Sequence, residues 1–130
     1  MIKFSEKEEA LLKKQDVARI ATVSEKGWPQ VTPVVHLYHS GKIYFITDYG
    51  TRKLKNIQKN NKVGVAVDVY ARQPASVIVQ GRAEIIERGE EYVEIEKLFE
   101  RRHAYYRSNP VKEGEAPIIK ITPVRKFSTV

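Results

Sequence analysis

Val63, Val65, Val67 and Val69 alternate with Gly64, Ala66 and Asp68, the two-residue period of a strand with one strongly apolar face. The same period recurs along the chain. Lys42 to Thr47 is β-branched and aromatic, with Ile43 and Phe45 on one face and Tyr44 and Ile46 on the other. Alternation also sets Val31, Pro33, Val35 and Leu37 against Thr32, Val34, His36 and Tyr38. Ser76 to Glu87 is a long strand with Val77, Val79, Ala83 and Ile85 on one side and Gln80 on the other. Between the strands the period changes. Glu6 to Lys14 predicts an amphipathic helix with Ala10 and Leu11 toward the body, and Glu90 to Arg107 predicts the main helix, carrying Val93, Leu98 and Phe99. Turns fall at Ser24-Glu25-Lys26-Gly27, His39-Ser40-Gly41 and Asp48-Tyr49-Gly50, and Ser108 to Pro117 is a loop. Six strands in so short an α+β chain suggest a closed or nearly closed barrel, because closure removes exposed edges.

Composition narrows this picture. A chain of 130 residues suits one domain, taken here as residues 1–130. The absence of cysteine rules out a disulfide framework and a thiolate metal site, and fits a reducing cytoplasm. No apolar run reaches membrane-spanning length, and Met1-Ile2-Lys3-Phe4-Ser5-Glu6 does not read as a signal peptide. The net charge of +7 favours anionic partners: nucleotides, nucleic acids or acidic surfaces.

Charge is placed most tellingly after the Lys42–Thr47 strand. Thr51 sits where a helix N-cap belongs, and Leu54 and Ile57 follow at helical spacing. The helix thus opens with Thr51, Arg52 and Lys53. A helix start exposes unpaired N–H groups and the positive end of the peptide dipoles. A hydroxyl, a guanidinium and an ammonium at that point make a receptor for phosphate. The same residues also suit an ordinary capped helix with solvated cations, and on these grounds both readings stand.

The order of strand, Thr47, turn and Thr51-Arg52-Lys53 resembles the pyridoxamine 5'-phosphate oxidase-like family of FMN-binding split barrels. Ala18-Arg19-Ile20-Ala21-Thr22-Val23, Gly27-Trp28-Pro29, Thr32-Pro33-Val34-Val35-His36, Gln80-Gly81-Arg82-Ala83 and Ile118 to Pro123 resemble further family segments in the same order. The resemblance implies a mainly antiparallel six-stranded split barrel with flanking helices. It also implies FMN held at its phosphate by Thr51, Arg52 and Lys53. Val34, Val35 and His36 would lie along the flavin ring, Ile46 and Thr47 beside it, and Gln80 is a further hydrogen-bonding candidate. His36 would stand where relatives place a basic group near the pyrimidine end; a half-buried strand histidine is the competing reading. Two departures matter. Val31 stands where the oxidases carry an arginine, and Lys120 to Phe127 shows no substrate motif of the Arg-x-His type. Oxidation of vitamin B6 is therefore not expected, and no catalytic side chain is assigned.

A barrel this small has no interior room for a flavin, so a homodimer covering an external ring is expected, with a small-molecule redox substrate. Other cofactors and roles stay open: the deazaflavin F420, a flavin module without turnover, or a nucleic-acid binder. The last is disfavoured, because Tyr105 and Tyr106 among arginines read better as a packed amphipathic face. His36, His39 and His103 lack the acidic company of a metal site.

Overall fold

The barrel is closed, and its strands run β1-β2-β3-β6-β5-β4 around it, every neighbouring pair antiparallel. This computed structural model describes residues 2–130; Met1, where the N-terminal reading began, lies outside them. The strands are β1 (Val17–Val23), β2 (Pro29–His39), β3 (Lys42–Ile46), β4 (Lys62–Val69), β5 (Ala75–Ile86) and β6 (Ile118–Thr129). The helices are α1 (Glu6–Lys14), α2 (Arg52–Lys59), α3 (Glu90–Arg102) and α4 (Ala104–Ser108). The α+β barrel expected from the alternation is the fold observed.

Alternation also explains the core. Ala18, Ile20, Ile43, Phe45, Val63, Val65, Val67, Val77, Val79, Ile119 and Ile121 point inward and fill the barrel. Leu11 and Leu12 of α1 and Leu54 and Ile57 of α2 join the same cluster. A second cluster forms outside the barrel, where Tyr92, Ile95 and Phe99 of α3 meet Leu37, Tyr44 and Ile118.

Three local expectations are corrected. Ala10 is exposed on α1, and Leu12 is buried with Leu11 instead. Val93 is 40% exposed, because Tyr92, Ile95 and Phe99 form the seated face of α3. The main helix breaks at His103, whose extended backbone separates α3 from α4. The His103 ring donates through Nε2 to the His36 carbonyl at 2.8 Å, and Arg107 donates to the Glu100 and Arg101 carbonyls at the end of α3.

The β1–β2 ladder ends at Val17↔Val35, and the β2–β3 ladder begins at His36↔Phe45. The edge of β2 before His36, on the side away from β1, therefore has no strand partner among the described residues. The barrel wall divides there, and the gap positions the site described next.

Candidate functional site

β3 ends at Ile46, and Thr47 turns away with its amide donating to the Pro117 carbonyl at 3.2 Å. Gly50 then takes a positive φ of 84°, which suits glycine and brings the chain round to Thr51. Thr51 caps α2: its hydroxyl accepts from the Leu54 amide at 3.4 Å and donates to the Asp48 carbonyl at 3.2 Å. With its one proton given to Asp48, it accepts from the Thr47 hydroxyl 3.1 Å away. The amides of Arg52 and Lys53, first in the helix, have no partner inside it. Neither side chain is in an ion pair among the described residues. The expected capped helix with a cationic start is present.

Lys53 and Thr51 face a groove of about 540 Å³, with Thr47, Ile46, Val34 and Val35 on the near side. Its other wall is Tyr105 and Tyr106 of α4 with Asn109, Pro110 and Val111. The free edge of β2 forms its floor at Pro33, Val34 and Val35. Tyr105 and Tyr106 pack edge to face, with centroids 5.1 Å apart, and Tyr106 rests in the same manner on Phe99. Burial, then the nearness of Tyr105 and Asp48, raises the Tyr106 phenol above its ordinary value, so it is neutral at physiological pH. Among the described residues Asp48 is the one carboxylate on the groove wall, and it is exposed.

Six of the nine expected site residues thus share one groove: Val34, Val35, Ile46, Thr47, Thr51 and Lys53. Arg52 turns instead toward a second cleft, which Trp28 also lines. Gln80 is on the outer face of β5, opposite Gly64, in a different cleft with Arg82 and Arg125.

The position of the His36 side chain differs most from the expectation. It is 2% exposed, and its Nε2–H donates to the Leu12 carbonyl at 2.9 Å. Burial holds the imidazole below its ordinary value, and nearby His103 and Arg102 add to this, while the Leu12 and Asp16 carbonyls oppose it. The strand alternates, so the side chain that follows outward-facing Val35 must point inward. His36 therefore ties β2 to α1 and is not a wall of the groove.

Tyr105, Tyr106, Asn109 and Val111 were not foreseen at the site. The aromatic pair was visible in the sequence, but the break at His103 that turns it to the groove was not. Among the described residues no group of three or more His, Cys, Asp or Glu side chains could hold a metal ion.

The family model for pyridoxamine 5'-phosphate oxidase matches residues 4–127. The chain belongs to this family. No curated protein matches the sequence. Among solved structures, the family fold recurs in the haem storage protein HutZ of Vibrio cholerae, at a TM-score of 0.83 and 14% identity, over 97% of this chain and 94% of that one. An FAD-binding protein of Mesorhizobium loti aligns at a TM-score of 0.74 and 19% identity, over 96% of this chain and 94% of that one. An F420 reductase is 25% identical at a TM-score of 0.72, over 95% of this chain and 98% of that one. Family membership fixes the fold; the ligands in these names differ.

Proposed function

We propose that this protein binds FMN in the groove between the free edge of β2 and α4, as a flavin-dependent oxidoreductase acting on a small molecule. The observation that carries the proposal is the start of α2, where free amides, a hydroxyl pair and Lys53 open onto an apolar and aromatic groove. That donor set fits a phosphate, and about 540 Å³ is within the range of roughly 300–1,000 Å³ usual for cofactor sites. His36 and His103 keep their rings in the core, at 2% and 7% exposure, so the groove favours a phosphate ligand over one needing an imidazole.

Each part of the groove has a task. Thr51, Lys53 and the amides of Arg52 and Lys53 bind the phosphate, with Arg52 adding charge from the adjoining side. The unpaired edge at Pro33, Val34 and Val35 offers main-chain polar groups to the edge of a ring. Tyr105, Tyr106 and Val111 exclude water from the far side. A bound flavin supplies the two-electron chemistry. No side chain here is required to take a proton.

The groove is open, and a second copy of the chain is the proposed cover. The outer face of β1, β2 and β5 suits such contact: Val17, Val31 and Ile78 are 42%, 63% and 42% exposed there. An assembly of twice the 15.0 kDa chain mass is expected by sedimentation. Among the described residues no helix is long and apolar enough to cross a membrane; a cytoplasmic location is part of the proposal. The absorbance spectrum of the protein reconstituted with FMN or F420 tests the cofactor. Retention of FMN with a perturbed band pair, and bleaching by NADH or NADPH, supports the proposal. Retention of F420 alone overturns it in favour of the deazaflavin.

A further inference from the structure

Part of the groove wall is irregular chain at Asn109, Pro110 and Val111, and it is thinly anchored. The Asn109 amide donates to the Tyr105 carbonyl at 2.9 Å and so belongs to the end of α4. Pro110 has no amide to give. The Val111 amide donates to Glu96 Oε2 of α3 at 3.0 Å. Among the described residues, this is the one hydrogen bond that ties residues 109–111 to α3.

Glu96 is an unusual anchor. It is 6% exposed, and a carboxyl group is rarely so buried unless a cation pairs with it. Among the described residues no cation does. Glu100, one turn along α3, hydrogen-bonds to it instead, and two carboxyls bond to each other only when one carries a proton. Burial first, and then Glu100, raises the Glu96 carboxyl to about 7, with the Val111 amide opposing. The other titratable and charged groups packed on α3 have partners of their own. Tyr92 feels Glu96 together with Glu113 and Glu115 of the following loop, and its hydroxyl donates to the Lys112 and Ala116 carbonyls. Tyr44 of β3 and Lys120 of β6 meet Glu91, and His39 of β2 meets Glu94, both toward the start of the helix. Arg107 of α4 donates to main-chain carbonyls.

The protonated carboxyl satisfies both neighbours: it accepts from Val111 and donates to Glu100. The ionised form is a buried charge beside a second carboxyl, and it favours any displacement of the wall that admits water. A ring in the groove acts in the opposite direction. It covers Val111 and withdraws water from the loop, which adds to the burial that disfavours the ionised form. Linkage then requires the converse: the proton on Glu96 tightens binding in the groove.

We propose that Glu96 is a positioning residue of the groove, holding Val111 in its wall, and that a ring bound there is coupled to a proton on the Glu96 carboxyl. The inference rests on the reading that the groove takes the flavin ring. Glu96 touches no ligand atom and acts through Val111. In the free protein the carboxyl releases its proton near pH 7, and in the complex it holds the proton to higher pH. Binding is therefore tight below about pH 7, weakens as pH rises above it, and takes up a proton in that range.

Riboflavin is the probe, because it lacks the phosphate of FMN, which titrates near pH 6. Its affinity is measured at pH 6 and pH 8.5 in the natural chain, in Glu96→Gln and in Glu96→Ala. Binding heats in two buffers of different ionisation enthalpy count the protons, and thermal unfolding shows that each protein is folded at both pH values. The natural chain should bind about three- to tenfold more weakly at pH 8.5 and take up protons there. Glu96→Gln keeps an acceptor for Val111 and does not titrate. It should bind within about twofold of the natural chain at pH 6, take up no proton and lose no affinity at pH 8.5. Glu96→Ala, without the anchor, should bind about fivefold more weakly at both pH values. The buried His36 and His103 are common to all three proteins and contribute alike. A natural chain whose affinity ignores pH, or a Glu96→Gln variant with the same pH dependence, overturns this inference and leaves the proposed function standing. Undiminished binding by Glu96→Ala overturns the positioning role; if that variant does not fold, Glu96→Gln alone decides. FMN gives the same difference between natural chain and Glu96→Gln if riboflavin binds too weakly to measure, since its phosphate titrates alike in both. Failure to bind either flavin at both pH values overturns the proposed function itself.

Discussion

Acidification tests whether the His36 ring belongs to the core or to the cofactor. The ring is buried, its Nε2–H is bound to the Leu12 carbonyl, and its Nδ1 has no partner among the described residues. Burial holds its pKa below the ordinary histidine value. The unfolded chain then binds more protons than the fold as pH falls, so stability is complete above the unfolded value and is lost below it. From pH 7.5 to 5.5, with an unfolded pKa of about 6.5 and a folded ring that stays neutral, the loss is at most about 1.4 kcal/mol. The control is His36→Gln, which keeps a donor for Leu12 and does not titrate. Asp16, Arg102 and His103, the charged and titratable groups near the ring, are common to both proteins, as is Glu96, which acts in the opposite direction. Urea unfolding of both at the two pH values gives the difference. The natural chain should lose more than the variant, by no more than about 1.4 kcal/mol. Parallel losses would refute the buried placement, because a ring open to the groove titrates near its ordinary value in both states.

Two further outcomes follow from burial and packing. The Glu96 carboxyl is raised to about 7, first by burial and then by Glu100, with the Val111 amide opposing. In the fold it holds its proton to higher pH than in the unfolded chain, so its ionisation costs stability as pH rises from about 4.5 through 7. Glu96→Gln keeps an acceptor for Val111, and it should stabilise the protein at pH 8 by on the order of 2 kcal/mol in urea unfolding, with the gain fading by pH 5. Gly81 is at the β5–β6 register shift, where an added Cβ would come within 2.6 Å of the Thr122 carbonyl oxygen. Gly81→Ala should cost about 1–3 kcal/mol and lower the thermal midpoint; an unchanged midpoint would mean that the two strands separate freely there.

The fold was legible where side-chain period alone decides structure. Alternation along β4 and β5 placed Val65, Val67, Val77 and Val79 inward, and all are buried. The span of α1 and the Thr51 cap were also readable, because local chemistry sets them. Tertiary contacts hid the rest. The break at His103 has no glycine or proline to announce it; it depends on a hydrogen bond to His36, distant in sequence. β6 continues past Pro123 to Thr129 because a register shift lets Pro123 pair opposite Gly81. The site divides in the same way. The hydroxyls and cations at the start of α2 form one contiguous segment, whereas the tyrosine wall and the turn of Arg52 toward a second cleft depend on how α4 and α2 are seated.

The most direct test of the central claim compares FMN with riboflavin, which lacks the phosphate, in the natural chain and in Arg52→Ala/Lys53→Ala. Charge-assisted hydrogen bonds contribute roughly 1.5–3 kcal/mol each, so the double substitution should weaken FMN by about a hundredfold or more. Riboflavin, held only by the groove around Val34, Val35 and the tyrosines, should change little. Equal losses for the two ligands, or no preference for FMN in the natural chain, would contradict a phosphate site at the start of α2.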